Sequence, residues 1–327
     1  MSPIISVSNL VKTYKVHRKE PGFMGSIKSL FNRQYEEVHA VKDISFDIKT
    51  GELIGFIGPN GAGKTTTLKC LSGLLYPSGG NVEVLGFTPF QRKTQFLKQI
   101  ALVMGQKNQL WWDLPPTETF LLNKEIYEIP EKRYKETLND LVELLDVSEV
   151  LNIQVRKLSL GQRMKCELIA ALLHSPKVLF LDEPTIGLDV VMQKKLRDFI
   201  KEYNKKYEST IILTSHYMED VRQLCERVIV IDHGTLLFDG KLENLVKEYT
   251  KHKLITVIFE KKVDEKDLKK LGDIKENEFP KVVLSVKRED SNDVTSKLLK
   301  DFPVEDLNIQ EPDIEDIIRQ VFARKAK

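Results

Sequence analysis

The chain has 327 residues, 41% hydrophobic and 30% charged, with a formal net charge of +2 at pH 7. That length leaves room for two domains, and that balance fits a soluble globular protein with no basic block to hold nucleic acid. Apolar runs such as ELIAALL and KVLFL fall far short of the ~20 residues a membrane-spanning helix needs.

The opening MSPIISVSNLVKTYK lacks the apolar core of a signal peptide. SVSNLVKTYKV and AVKDISFDIKTGE alternate apolar and polar residues, which predicts half-buried strands of an antiparallel sheet. An extra segment, 18–37, lies around the junction of the two. Phe23, Ile27, Leu30 and Phe31 fall there on one face at helical spacing. LIGFIG is a buried apolar strand that runs through a Gly-rich loop into the helix TTTLKCLSGLL. From about 95 to 175 the pattern turns mainly helical, including KRYKETLNDLVELLDV and the stretch after Ser159. KVLFLDEP and STIILTSH are apolar strands again, so the core is predicted to be α/β with a mainly parallel sheet. The antiparallel strands form a β subdomain of it, and the helical middle is an insertion. Cys70, Cys166 and Cys225 are far apart in helix-like sequence and read as buried small hydrophobes of a reducing compartment. Past about residue 250, the strands LITVIFE, KVVLSVK and DLNIQ alternate with the helices VDEKDLKKLG, SNDVTSKLLKDF and DIEDIIRQVF. The expected division is 1–248 for the main domain and 249–327 for a small α+β domain without a catalytic motif.

Gly58, Pro59, Asn60, Gly61, Ala62, Gly63, Lys64, Thr65 and Thr66 match G-x-x-x-x-G-K-[ST] between a strand and a helix, the context of a P-loop. Free backbone amides would wrap phosphate oxygens, Lys64 would reach the terminal phosphates, Thr65 would ligate Mg²⁺ and Thr66 would support the phosphates. KVLFLDEP delivers Asp182 and Glu183 to the carboxyl end of a parallel strand, where such sheets bind ligands. Asp182 suits Mg²⁺, directly or at one remove, and Glu183 suits a base that polarises the attacking water. LSLGQ poses a separate question. Ser159 caps a helix whose unpaired amides favour an anion, and Gly161 leaves room for one to approach.

The order GPNGAGKTT, Gln106, LSLGQ, VLFLDEP, GLD and Thr214-Ser215-His216 resembles the ABC ATPase family, over residues 4 to about 245. The resemblance implies a P-loop NTPase fold that binds ATP and Mg²⁺. It also implies that Tyr14 stacks on adenine and that Gln106 links Mg²⁺ to the transporter interface. Asp189 matches the D-loop acid, and His216 the switch residue at the γ-phosphate. Ser159, Gly161 and Gln162 would close over ATP held by a second copy, or by a homologous ATPase, in a head-to-tail dimer. Leu160 departs from the family's glycine. Separately encoded permeases, the cytoplasmic face of the cell membrane and no nucleic acid complete the expectation. Trp111 and Trp112, after Gln106, are either the permease-docking surface or core aromatics. The 18–37 segment either packs on its own domain or touches the permease or membrane. SHYMEDVRQLCERVIVIDHGTLLFDG and EPDIEDIIRQVF resemble daunorubicin-type exporters, which implies export. The alternatives are an exporter of teichoic acid or O-antigen glycans, whose ATPases carry a similar insertion, and a soluble non-transport ABC ATPase.

Overall fold

The computed structural model describes residues 2–17, 35–105, 107–249, 252–310 and 317–318. Gln106, most of the 18–37 segment and most of DIEDIIRQVF lie outside the described residues. The chain divides into two compact units, Met1–Gly240 and Lys241–Lys327.

In the first unit β1 (Ile5–His17) and β2 (Tyr35–Ile48) form a long antiparallel ribbon. β3 (Leu53–Ile57) feeds α1 (Lys64–Leu71), and β4 (Gly79–Val84) returns to pair with β1, so the first sheet has the order β2-β1-β4. The predicted alternation holds for Ile5 and Val7 and then skips to Leu10, because the β1–β2 register shifts there. Asn9 takes a left-handed φ of 53° at that irregularity; its backbone N–H donates to Ser45 and its amide to Asp43. A strict period of two cannot anticipate such a bulge.

The second sheet has the order β5-β6-β7-β3-β8-β9, and the β5-β6, β6-β7, β7-β3 and β3-β8 pairings are all parallel. A short α2 (Thr94–Leu97) leads into its edge strand, β5 (Ile100–Met104), so a core strand lies inside the stretch of about 95–175. The helices α3 (Pro116–Ile126), α4 (Glu131–Leu145) and α5 (Leu160–Leu172) follow. β6 (Val178–Asp182) and β7 (Thr210–Thr214), joined by α6 (Val190–Tyr207), are buried along their whole length. This is why their sequences are continuously apolar. α7 (Met218–Leu224), β8 (Arg227–Asp232) and β9 (Thr235–Lys241) complete this part of the chain. The two sheets and α1 share one core, in which Ile5, Ile44, Phe56, Leu68 and Phe180 are almost wholly buried.

The second unit opens with α8 (Leu242–Tyr249), then runs β10 (His252–Phe259), α9 (Glu265–Lys269), β11 (Asp273–Glu278), β12 (Lys281–Lys287), α10 (Ser291–Asp301) and β13 (Val304–Gln310). Its antiparallel sheet has the order β11-β12-β10-β13, the split βαββαβ arrangement of ferredoxin-like domains. Ile255, Val257, Leu284 and Leu298 lie in its own core.

The three cysteines are free and buried, and burial pushes their thiols up, to about 11 for Cys70 and about 12 for Cys166. Phe180 stands at the middle of β6 with no exposed surface. Phe180→Ala is expected to lower stability by about 3–5 kcal/mol, read as a shift of the urea midpoint followed by circular dichroism.

Candidate functional site

The P-loop connects the end of β3 to α1, and its backbone decides where glycine is required. Gly63, with a φ of 105°, is the N-cap of α1, and a Cβ there would lie 2.5 Å from the carbonyl of Ala40. Gly58 meets the same limit without unusual dihedrals, since a Cβ would lie 2.4 Å from the Ile231 carbonyl. Thus two of the loop's glycines answer to neighbouring backbone on β2 and β8. Gly61, with a φ of 80° and open space around it, answers to conformation alone. Pro59 is half-buried, Ala62 is buried, and Asn60 and Gly61 face solvent.

Lys64 is buried, and its ammonium donates to the carbonyls of Gly58 at 2.6 Å and Pro59 at 3.1 Å. Burial lowers its pKa, against the raising influence of Glu183 and Asp182. Thr65 donates to Asp182 Oδ2 at 2.8 Å, and Thr214, the last residue of β7, donates to Asp182 Oδ1 at 2.7 Å. Thr214 also accepts the backbone N–H of Glu183 through its hydroxyl, at 3.0 Å. Both oxygens of one buried carboxylate therefore have partners, from two different elements. Thr66 is half-buried on the first turn of α1.

Glu183 has a left-handed φ of 54°, uncommon for a residue with a side chain. Gly105 lies against it: the Gly105 N–H donates to the Asp182 carbonyl at 2.9 Å, and a Cβ there would come within 2.1 Å of the Glu183 carbonyl. The carboxylate of Glu183 meets His216 Nε2 at 2.7 Å. Lys64, Thr65, Asp182, Glu183 and His216 are thus gathered at the carboxyl ends of β3, β6 and β7 and the start of α1.

The remaining expected residues stand elsewhere. Tyr14 is half-buried on β1, opposite Val38, with the Lys12 ammonium 5.1 Å from its ring centre. Ser159 caps α5 in a reciprocal capping box: its hydroxyl accepts from Gln162 N–H at 3.2 Å, and its own N–H donates to the Gln162 side chain at 3.0 Å. Gly161 is buried, and the group that approaches it is Met192 of the same chain, 2.8 Å from where a Cβ would sit. The room that glycine provides is taken by packing of α5 against α6. Leu160 lies over Gly187 in the same way. Asp189 caps α6, accepting from Met192 N–H at 2.9 Å. Among the described residues, no three His, Cys, Asp or Glu side chains are grouped to hold a metal ion on their own.

Thr214, part of Thr214-Ser215-His216 but given no role in the sequence reading, joins the site through Asp182. Another residue carried no signal in the sequence. Glu167, inside α5, is fully buried; its Oε1 accepts from Gln109 N–H at 3.3 Å and lies 3.4 Å from Arg163 Nε. A glutamate within an otherwise regular amphipathic helix gives no hint that it is roofed by the loop after β5. That loop also exposes Trp111 and Trp112, at 57% and 50%, which removes the core reading of these aromatics.

Residues 41–186 match the ABC transporter family, and residues 251–310 match the C-terminal domain of EvrA-like ABC transporters. The chain is 34% identical to the ABC transporter ATP-binding protein NatA of Bacillus subtilis, over 66% of this chain and 87% of that one. It is 32% identical to the bacitracin transport ATP-binding protein BcrA of Bacillus licheniformis, over 77% and 74%. It is also 33% identical to the linearmycin resistance ATP-binding protein LnrL of Bacillus subtilis, over 65% and 68%. Among solved structures, an ATP-binding subunit of an ABC transporter superposes with a TM-score of 0.62 at 23% identity, covering 75% of this chain and 93% of that one. A dimeric ATP-binding cassette in a post-hydrolysis state with ADP and Pi superposes at 0.60 and 24% identity, covering 73% and 98%. At these identities the structures bear on the fold alone.

Burial raises the Glu167 carboxyl from 4.5 to about 7, with the Gln109 N–H and Arg163 pulling the other way. The folded chain thus holds this proton more tightly than the unfolded chain does. The resulting stabilisation is complete below about pH 4.5 and is lost as pH rises through about 7. Glu167→Gln, neutral at every pH and similar in shape, is expected to flatten that part of the profile. It should gain about 2–3 kcal/mol over the parent near pH 8, measured by urea unfolding across a pH series.

Proposed function

The chain belongs to the family of ABC transporter ATP-binding proteins, and on that premise we propose that it hydrolyses ATP to drive export through separately encoded permeases. The observation that carries this reading is the cluster of Lys64, Thr65, Asp182, Glu183 and His216 at the carboxyl ends of three parallel strands. Phosphate oxygens would take the place of the Gly58 and Pro59 carbonyls around the Lys64 ammonium, whose buried charge needs an anionic partner. Glu183 would accept a proton from the attacking water, and His216, on its carboxylate, would orient the pair against the γ-phosphate. Tyr14 offers its ring to adenine.

The donors suit magnesium. The Thr65 hydroxyl and the Asp182 carboxylate are hard oxygen ligands already 2.8 Å apart, and Gln106 follows Gly105 at the end of β5. Mg²⁺ held there would neutralise charge on the phosphates.

Export is favoured by the kind of relative: BcrA carries bacitracin transport in its name and LnrL linearmycin resistance. We read 249–327 as an accessory domain of the ATPase, a reading supported by the match of 251–310 to EvrA-like C-terminal domains. Among the described residues no helix is long and apolar enough to cross a membrane. We assign the transport path to partner subunits, with this chain at their cytoplasmic face, a reading supported by its transporter relatives. The exposed Trp111 and Trp112 are the anchors we assign to permease docking.

The exposed start of α5 is assigned to ATP bound by a second ATPase subunit in a head-to-tail pair. Three variants of the full chain, assembled with its permeases, test these assignments. Glu183→Gln is expected to keep ATP affinity while turnover falls roughly 10²–10⁴-fold. Ser159→Asp preserves a good helix cap but adds a negative charge where the partner's phosphate would lie. Alone, it and Lys64→Ala should each be nearly inactive. Co-assembled in equal amounts, the two should regain up to roughly a quarter of parental ATPase, if pairing is random and the two sites act independently. Verified mixed dimers without activity or ATP-dependent closure would refute the shared site.

A further inference from the structure

A second carboxylate, outside the residues assigned above, ties the reacting loops together. Asp220 lies on α7 with no exposed surface. Its Oδ2 accepts hydrogen bonds from the hydroxyls of Thr185, at 2.6 Å, and Ser215, at 2.7 Å. Its Oδ1 meets Arg197 of α6 at 2.7 Å, and both side chains of this ion pair are buried. Thr185 lies two residues after Glu183, and Ser215 immediately before His216. The last backbone bond joining the two strand ends runs from Glu183 N–H to the Thr214 carbonyl. Beyond that bond the Asp220 carboxylate links the two segments, through Thr185 and Ser215.

We propose that Asp220 is a positioning residue for ATP hydrolysis, holding the Glu183 and His216 loops in register with each other and with α6. A buried ion pair is a weak contributor to stability, because taking two charges out of water offsets their attraction. What it supplies here is geometry. The carboxylate accepts from three donors on three separate segments, so none can shift without leaving a buried group unpaired. Ser215 carries the constraint further, since its hydroxyl also accepts the Tyr217 N–H at 3.0 Å and so closes the turn around His216. Arg197 carries it the other way, into the helix capped by Asp189, which borders the start of α5 through Met192. The 2.7 Å contact between Glu183 and His216 is thereby fixed from behind, by a carboxylate with no exposed surface.

The inference rests on the ATPase reading of the site, and the test separates the two. In the full chain, Asp220→Asn keeps the shape but loses the ability to accept from every donor at once. It is expected to lower kcat about 10–100-fold while KM and the affinity for a fluorescent ATP analogue stay within about threefold. Should Asp220→Asn fail to fold, Ser215→Ala serves, since it leaves the Asp220–Arg197 pair intact and unties only the switch loop. Its kcat should fall about 3–10-fold at nearly unchanged Tm. Ile200→Val, a packing change on α6, lowers Tm and should leave kcat alone. Parental kcat in both Asp220→Asn and Ser215→Ala would overturn the proposal, as would an equal kcat loss in Ile200→Val. Glu183→Gln is run alongside. If it retains parental turnover, the hydrolytic reading falls and the role of Asp220 with it; if it is inactive while Asp220→Asn and Ser215→Ala both keep parental kcat, only the role of Asp220 falls.

Discussion

The site depends on the two hydrogen bonds accepted by Asp182. A carboxylate with 8% exposure needs partners, and these come from Thr65 on α1 and Thr214 on β7. The sheet order is β6-β7-β3, so the helix fed by β3 begins across β7 from the acid it contacts. Its first turn reaches over the end of β7, and Thr214 stands beneath, bonded to the same carboxylate and to the Glu183 N–H. One buried charge thereby aligns the phosphate loop, the acidic strand end and the switch strand. Asp220 repeats the device just past the same strand ends, with Thr185 and Ser215. Each oxygen pair is saturated by donors from different elements, so position is set by satisfaction of a buried group and not by chain continuity.

One of the chain's left-handed residues stands where the chemistry is assigned. Glu183 holds a left-handed backbone that only a crowded surrounding keeps in place, and Gly105 is the part of that surrounding with no room for a side chain. Gly105 also directly precedes Gln106. The loop that leads to the exposed tryptophans therefore begins in backbone contact with the assigned base. It continues over Glu167 of α5 through the Gln109 N–H, and the Arg156 N–H donates to the Trp112 carbonyl just before the LSLGQ segment. A surface that met a permease at Trp111 and Trp112 would thus be connected both to the hydrolytic centre and to the helix start assigned to the partner's ATP.

The start of α5 shows how a local motif acquires a second meaning in three dimensions. Its capping box is complete between Ser159 and Gln162 and needs no group from elsewhere in the chain. Gly161 and Leu160, however, are set by α6 and by the turn before it: Met192 fills the space over Gly161, and Gly187 makes room for Leu160. The leucine that departs from the family's glycine is accommodated by a glycine on the neighbouring turn. The two loops assigned to face a partner are therefore packed against each other.

Much of this protein is decided by short-range chemistry that a sequence displays openly. The P-loop glycines, the acids at the end of an apolar strand, the cap at Ser159 and the alternation of buried strands with helices each follow from local backbone geometry or periodicity. They suffice for the α/β core, the antiparallel subdomain, the α+β character of the C-terminal unit and the nucleotide-binding centre. What the sequence could not display arises from groups far apart along the chain. The bulge at Asn9 breaks the period of two to meet Asp43 and Ser45 on another strand. Glu167 reads as one more charged helical residue until a loop covers it, and Asp220 as one of several acids in a polar stretch until Thr185, Ser215 and Arg197 converge on it. Burial of a charge is a property of the assembled fold: its cost depends on every element that excludes water from it, and only tertiary packing brings those elements together.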